Sequence, residues 1–230
     1  MNSHREVIAL TAATLASCGS YTNPGTGTHT LAVQATLAYQ FAGNTTAVDV
    51  TISDAAGNDI TDANVTVTDP DSNSSALVPH LNRNRYSLGG QGFAGYHRRV
   101  ELNIKRQAPA TDGLIAKLEG PGPDHINSPA QDDILSFGNL GSGLDVVWAT
   151  GDGLEADRVT ISLNVSNYSK PLTDDSGKLT IPKNDLNSAV GQTETVNVDR
   201  TNSVTLAGGI APNSTMTLSY GVSNQFNLQP

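Results

Sequence analysis

Hydrophobic and polar residues alternate along most of this chain. The longest run covers residues 31–41, where Leu31, Val33 and Leu37 fall on one side and Gln34 falls on the other. A period of two residues is that of a β-strand with one buried and one exposed face. The pattern returns at 48–52, 65–67, 100–104, 144–148, 159–165, 196–198, 204–206 and 216–222. The sequence therefore predicts an all-β fold.

Turn residues separate these predicted strands, as in Ala-Gly-Asn-Asp at 56–59. Many short alternating strands joined by such turns predict antiparallel β-sandwiches. The one helical turn that the sequence predicts lies at 183–187, after Pro182.

The length of 230 residues suits one large domain or two of about 100 residues each. The segment 106–112, Arg-Gln-Ala-Pro-Ala-Thr-Asp, follows a strong strand pattern and holds no large apolar residue. We therefore expect two tandem Ig-like sandwiches, at 29–107 and 112–230. The Gly- and Pro-rich segment 120–124 is an alternative boundary, which we interpret as a loop inside the second sandwich.

The single cysteine lies at the end of a segment with the pattern of a secretion signal. Residues 1–18 hold an apolar stretch of about ten residues, which is too short to cross a bilayer. They end in Leu-Ala-Ser-Cys at 15–18. This ending resembles the lipobox of bacterial lipoproteins, in which the cysteine, here Cys18, is lipidated and becomes the new N-terminus. An ordinary secretion signal and a cytosolic N-terminus are the alternatives.

The lipobox resemblance implies a signal peptide at 1–18 and a membrane partner reached through the lipid. Gly19 follows Cys18, which in lipoprotein sorting favours the outer membrane of the cell envelope. Residues 19–28 are rich in Gly, Thr and Ser without apolar periodicity, so we expect a flexible tether there. A single cysteine excludes an internal disulfide.

Residues 29–107 contain an Asp-x-x-Gly turn at 54–57, an Ala-x-Val strand at 63–65 and a tyrosine, Tyr86, in a later strand. This pattern resembles the transthyretin-like sandwich, also called carboxypeptidase regulatory-like. Residues 112–230 contain Leu-Asp-Val-Val-Trp at 144–148 and Asp-Ser-Gly-Lys-Leu-Thr-Ile-Pro at 175–182. They resemble an Ig-like module of bacterial secreted proteins and lipoproteins. The second resemblance implies that Trp148 is the core aromatic residue of a central strand. Neither resemblance brings a catalytic or ligand-binding residue to this chain.

Two acidic loops are weak calcium candidates. Asp69, Asp71 and Asn73 match the first three ligand positions of an EF-hand loop, but Ser74 and His80 stand where the loop needs Gly and Glu. The loop containing residues 152, 155 and 157 is the second candidate. We interpret both as polar turns and expect no metal and no cofactor.

The charge and the motifs argue against two classes of protein. With 13 basic and 22 acidic residues the net charge is -9, so a general attraction to nucleic acid is excluded. The segment 138–143, Gly-Asn-Leu-Gly-Ser-Gly, lacks the spacing of a nucleophile elbow, and no phosphate-binding glycine motif is present. We therefore predict that the protein is not an enzyme, with a periplasmic enzyme lacking a known motif as a further alternative.

Residues 80–99 form a basic and aromatic segment in this acidic chain. Its candidate binding residues are Arg83, Arg85, Tyr86, Phe93, Tyr96 and Arg98. One interpretation is a hairpin with arginines at its edge, and the other is a patch for a glycan or an envelope protein. The prediction for the whole chain is a lipid-anchored, non-catalytic structural or binding protein of the bacterial envelope. The alternative is a carbohydrate- or peptide-binding accessory lipoprotein that uses the 80–99 segment.

Overall fold

The computed structural model describes residues 21–40, 43–122, 124–150 and 155–230, and this part of the chain is built almost wholly of β-strands. The predicted signal segment, with Cys18, lies outside the described residues. Two short 3-10 helices are present among them, at Phe137–Asn139 and at Lys183–Ala189, the second where a helical turn is predicted. Within the described residues no helix has the length and the apolar composition needed to cross a membrane.

The described strands are, in chain order, β1 (Asn23–Gly27), β2 (Leu31–Gln40), β3 (Thr45–Asp54), β4 (Ala63–Asp69), β5 (Ser74–Val78), β6 (His80–Asn82), β7 (Arg85–Ala94), β8 (Arg99–Arg106), β9 (Gly113–Glu119), β10 (Ile126–Ser128), β11 (Asp133–Ser136), β12 (Gly143–Trp148), β13 (Arg158–Leu163), β14 (Tyr168–Leu172), β15 (Lys178–Pro182), β16 (Gln192–Thr205) and β17 (Thr215–Gln229). These bounds confirm the all-β prediction, since each alternating segment named above lies within or overlaps a strand.

The described strands form one long sheet and two short ones. The long sheet has the order β14-β13-β16-β17-β2-β3-β7-β6, with β11 added beside β17. The first short sheet has the order β1-β9-β8-β4-β5, and the second has the order β10-β12-β15. Most pairs are antiparallel, as expected, but β17 runs parallel to both β2 and β11.

Both short sheets cover the same face of the long sheet. Strands β16 and β17 pair without a bulge from Gln192–Leu228 to Thr205–Thr215. Along β17 the buried apolar residues Met216, Leu218, Phe226 and Leu228 all have even numbers, so their side chains point to one side. The first two belong to a core under the first short sheet, and the last two belong to a second core under the second short sheet. The two sandwiches therefore share β16 and β17.

The two cores do not divide at the predicted boundary between 107 and 112. Strand β9, the expected opening strand of the second sandwich, contributes Leu114, Ala116 and Leu118 to the first core. It pairs antiparallel with β8, the strand that directly precedes it in the chain. The segment 107–112 is therefore the turn of a hairpin, and the first core also needs residues from the C-terminal part of the chain.

The expected tether at 19–28 also needs correction, because residues 23–27 form strand β1 at the edge of the first short sheet. The strand pairs with β9, and its Pro24 carbonyl oxygen accepts a hydrogen bond from the Ala207 N–H at 2.9 Å. Just after the strand, the His29 N–H donates to the Gly208 carbonyl oxygen at 3.0 Å. All of these bonds use backbone groups, which every residue carries whatever its side chain. The segment can therefore form a strand although it has no apolar pattern.

Candidate functional site

The predicted basic and aromatic patch is not assembled at the surface. Tyr86 and Phe93 are each only 1% exposed and belong to the first core. The Tyr86 hydroxyl donates to the Ile60 carbonyl oxygen (3.2 Å) and accepts a hydrogen bond from the Ala63 N–H (2.9 Å). Burial raises the pKa of this hydroxyl. Both rings are thus structural, and a ligand at the surface cannot reach them.

The arginines of the predicted patch lie on different sheets. Arg85 pairs with Asp49 at 2.7 Å on the outer face of the long sheet. Arg98 lies 3.2 Å from Glu119, at the end of the first short sheet. Arg83 is exposed in the turn between β6 and β7. Arg83 and Arg85 thus belong to one hairpin of the long sheet, and the fold separates Arg98 from them.

In the first calcium candidate, the carboxylate of Asp69 is already engaged by protein donors. One oxygen accepts the Asp71 N–H at 2.7 Å, and the other accepts His97 Nδ1 at 2.8 Å and the Ser72 hydroxyl at 2.9 Å. Burial alone would raise the pKa of Asp69, but these hydrogen bonds outweigh it and hold the pKa below its usual range. Asp71 is paired with Arg99 at 3.3 Å.

Asn73, the third member of that candidate, has a positive φ of 52° in the β4–β5 turn, where it shapes the hairpin. In the second acidic loop, Asp152 lies outside the described residues, and Asp157 accepts the Ser203 N–H at 2.7 Å. Over the described ranges no group of three or more acidic, histidine or cysteine side chains is placed to hold a metal ion.

A cluster of buried and half-buried charged and aromatic side chains lies between the two cores. We call it the seam and define it by Tyr39, Tyr96, Asp124, Asp175, Arg200 and Tyr220. Arg200 on β16 and Tyr220 on β17 are register partners on the covered face of the long sheet. They lie where the first core ends and the second begins.

Arg200 is the centre of the seam, and its side chain is fully buried. Its Nε donates to the Asp175 carboxylate at 2.8 Å, and a terminal nitrogen donates to the same oxygen. The other terminal nitrogen donates to the Gly122 carbonyl oxygen at 2.9 Å and lies 3.9 Å from the Asp124 carboxylate. One guanidinium group thus binds the long sheet to the loop that joins the two short sheets.

Asp175 links the same guanidinium to the second core. Its carboxylate accepts the Trp148 indole N–H at 2.8 Å and the Ala156 N–H at 3.0 Å. Burial would raise the pKa of Asp175, but the hydrogen bonds from Arg200, Trp148 and Ala156 outweigh it, so the pKa lies below its usual range. Trp148 is a buried residue of β12, the central strand of the second short sheet, as the sequence predicts.

Three tyrosines fill the side of the seam next to the first core. The rings of Tyr39 and Tyr220 are stacked with centroids 5.1 Å apart, and Tyr96 meets both rings edge-on. The Tyr96 hydroxyl donates to the Pro121 carbonyl oxygen, and burial raises the pKa of that hydroxyl. Such aromatic contacts stabilise beyond the area that they bury.

A cavity of about 370 Å³ opens beside the seam, between residues 124–126 and 222–224. Asp124 is the only carboxylate among its described lining residues. Burial raises the pKa of Asp124, while the nearby Arg200 lowers it. His125 also lines the cavity, and its backbone N–H donates to the Asp124 carboxylate at 2.6 Å.

Sequence reasoning did not find the seam, although one signal pointed to it. The alternation through Val196 and Val198 places Arg200 on the same buried face. An arginine at a core-facing position needs a buried partner. The partner cannot be read from the sequence, because Asp175 is 25 residues away.

Comparisons with known proteins give a distant likeness only. No protein-family model matches the chain, and no curated protein matches it. Solved structures do match the chain, and those named here have low sequence identity to it. One is a Ca²⁺-stabilized adhesin that helps an Antarctic bacterium reach out and bind ice, with 18% identity and a TM-score of 0.30 over 86% of this chain and 49% of that one.

The second is a 1.5-MDa bacterial ice-binding adhesin, described for its host cell surface retention, with 12% identity, a TM-score of 0.26 and coverage of 86% of this chain and 66% of that one. The third is chicken CNTN1 FN1-FN3 domains, with 11% identity, a TM-score of 0.24 and coverage of 85% and 67%. The chain spans about half the length of the first structure and about two thirds of the second. The β-sandwich assignment follows from the sheets themselves.

Proposed function

We propose that this chain is a non-catalytic structural protein of the bacterial cell envelope, held at the membrane by a lipid on Cys18. The observation that carries the structural role is the continuity of the long sheet. Strands β16 and β17 pass through both cores without a bulge, so force or displacement at one sandwich reaches the other through paired backbone.

The chemistry of the seam supports the same role. Its central charged groups, Arg200 and Asp175, bind each other and nearby backbone groups rather than facing an open site. Groups engaged in this way position neighbouring elements, whereas a general acid or base must reach a substrate. The seam is thus built to fix the two cores relative to each other.

The lipid anchor is supported by the position of the chain's single cysteine, Cys18, directly after Leu-Ala-Ser. Several acyl chains on one residue give stable membrane attachment, since each buried CH₂ contributes about 0.8 kcal/mol. Gly19 after the cysteine supports the outer membrane as the destination.

The anchor is tested by growing cells that express the chain with a labelled fatty acid. We expect the label on the wild-type chain and no label on Cys18→Ala, because no other cysteine can receive it. The wild-type chain is also expected in the membrane fraction that dissolves in detergent.

Ser17→Ala is the matched control, because it also changes the Leu-Ala-Ser-Cys sequence but keeps a small residue before Cys18. We expect this variant to be labelled as the wild type is. A labelled Cys18→Ala chain would disprove the anchor, and it would leave the structural role of the shared strands untouched.

A further inference from the structure

The edges of β-sheets attract other strands, and proteins protect them with charges, prolines, bulges or short length. Most edges described here carry such a device. Strand β14 contains Lys170 and Pro171, β15 begins with Lys178 and ends with Pro182, and β10 has only three residues and an irregular register.

The remaining short or irregular edges are protected in the same way. Strand β6 has three residues with an irregular register, and β11 has four residues beginning with Asp133. Strand β1 contains Pro24 and a register shift, and residues 207 and 208 bond to it and to His29 beside it.

Strand β5 is different. Its sequence, Ser-Ser-Ala-Leu-Val at 74–78, holds no charge and no proline. It pairs with β4 in an unbroken register, and no described residue pairs with its other side. Leu77 is 64% exposed on the outer face, and Leu81 on the adjoining β6 is 55% exposed. A regular, uncharged edge with exposed leucines is a template for strand addition.

We propose that β5 binds β5 of a second copy of this chain, antiparallel and about a two-fold axis at Ala76. With the axis at this residue all five residues of the strand are paired, and Pro79 directly after the strand ends the match. Ser75 of one copy then faces Leu77 of the other.

The strand is self-complementary in this register. The two Leu77 side chains lie on the same outer face as diagonal neighbours, a separation that long side chains can span. Because β5 has no charged residue, the pair brings no like charges together. The first short sheet of one copy and the first short sheet of the other then join into one ten-stranded sheet.

Five paired residues bury much less than the roughly 1,200 Å² of a stable interface, so the dimer is weak and depends on concentration. Each copy carries a net charge of -9. Long-range repulsion between copies falls as salt screens it, so the dimer is stronger at high than at low ionic strength.

Cysteine cross-linking tests the pairing in the full chain carrying Cys18→Ala, which has no other thiol. Residues that face each other across antiparallel strands have Cα atoms about 4.5–5.5 Å apart, within the range of a disulfide. With oxidised glutathione as the oxidant, Ala76→Cys is expected to give a disulfide-linked dimer on a non-reducing gel.

Two controls use the same background. Ser75→Cys is one residue off the axis, where the two cysteines are diagonal and about 7–8 Å apart, so its yield should be several-fold lower. Ser169→Cys lies on the protected edge β14 and should not cross-link. Equal yields at Ala76 and Ser169, a higher yield at Ser75 than at Ala76, or no dimer at Ala76 would overturn the proposal.

A second variant tests the pairing without a cysteine at position 76, where the new side chain could distort the strand. Leu77→Lys puts a charge on the exposed side of β5, where the fold tolerates it, and the circular dichroism spectrum should not change. Sedimentation of the chain without added cysteines should then show a weak dimer when Leu77 is unchanged and a monomer for Leu77→Lys. The same average mass for both would also overturn the proposal.

Discussion

At the scale of single residues, Arg200 connects the long sheet to groups on both sides of the seam. Its guanidinium group, fully buried, holds Asp175 on the side of the second core and the loop at 120–124 on the side of the first. The alternation of β16 predicts that this side chain faces inward. What it meets there could not be predicted, since its partners come from distant parts of the chain.

Replacing Arg200 should lower the free energy of unfolding. Arg200→Met removes the cation and leaves the Asp175 and Asp124 carboxylates buried without it, which typically costs about 3–5 kcal/mol of unfolding free energy. Urea unfolding followed by Trp148 fluorescence measures the loss. Arg158→Met makes the same change at an exposed position of β13 and should stay within about 0.5 kcal/mol. Similar small losses for both variants would show that the seam contributes little.

At the scale of elements, the sequence predicts strands well where side chains alternate and poorly where only the backbone is used. Strand β2 ends one residue before its apolar pattern does, and β3 and β8 extend one to three residues beyond theirs. Strand β1, Asn-Pro-Gly-Thr-Gly, has no apolar pattern, and the hydrogen bonds that hold it come from partners about 90 and 180 residues away. Those pairings depend on the finished sheet, so composition alone suggested a tether.

Gly25 tests how β1 is held. It has a φ of 85°, and a Cβ at this position would collide with the Ile115 carbonyl oxygen of β9. Gly25→Ala should therefore release β1 from β9, at a cost of about 1–3 kcal/mol for the strained backbone. Hydrogen exchange is the measurement, and the amides of Thr28 and His29 should exchange at least about tenfold faster.

The control for this change is Gly89→Ala, since a Cβ at Gly89 meets no atom within 4 Å. It should leave the exchange of those two amides unaltered. Unchanged protection of Thr28 and His29 in Gly25→Ala would mean that β1 is held by contacts other than its pairing with β9.

At the scale of the whole molecule, the predicted all-β sandwiches are present, but strands β16 and β17 belong to both of them. The alternating segments at 196–198 and 204–206 suggested two short strands, because polar Arg200 and Asn202 interrupt the apolar pattern between them. The structure has one strand of fourteen residues there. The polar interruption marks the passage from one core to the other rather than the end of a strand.

Shared strands predict that both cores unfold together. Calorimetry should show a single transition whose calorimetric and van't Hoff enthalpies agree. Val67→Ala in the first core and Val146→Ala in the second remove buried methyl groups from separate clusters, and each should lower the same transition by several degrees. Two transitions, each moved by only one of the variants, would show that the cores are independent despite the common strands.

Under the proposed lipid attachment, the pairing of β1 also limits how far the folded body stands from the membrane. With a lipid on Cys18, only five Cα-to-Cα steps separate the anchor from Asn23, the first residue of β1, and at about 3.6 Å per step they reach no more than about 18 Å. The edge of the first short sheet then rests close to the lipid headgroups. The reach of the protein into its compartment is that of its folded body, in which β17 alone spans about 50 Å.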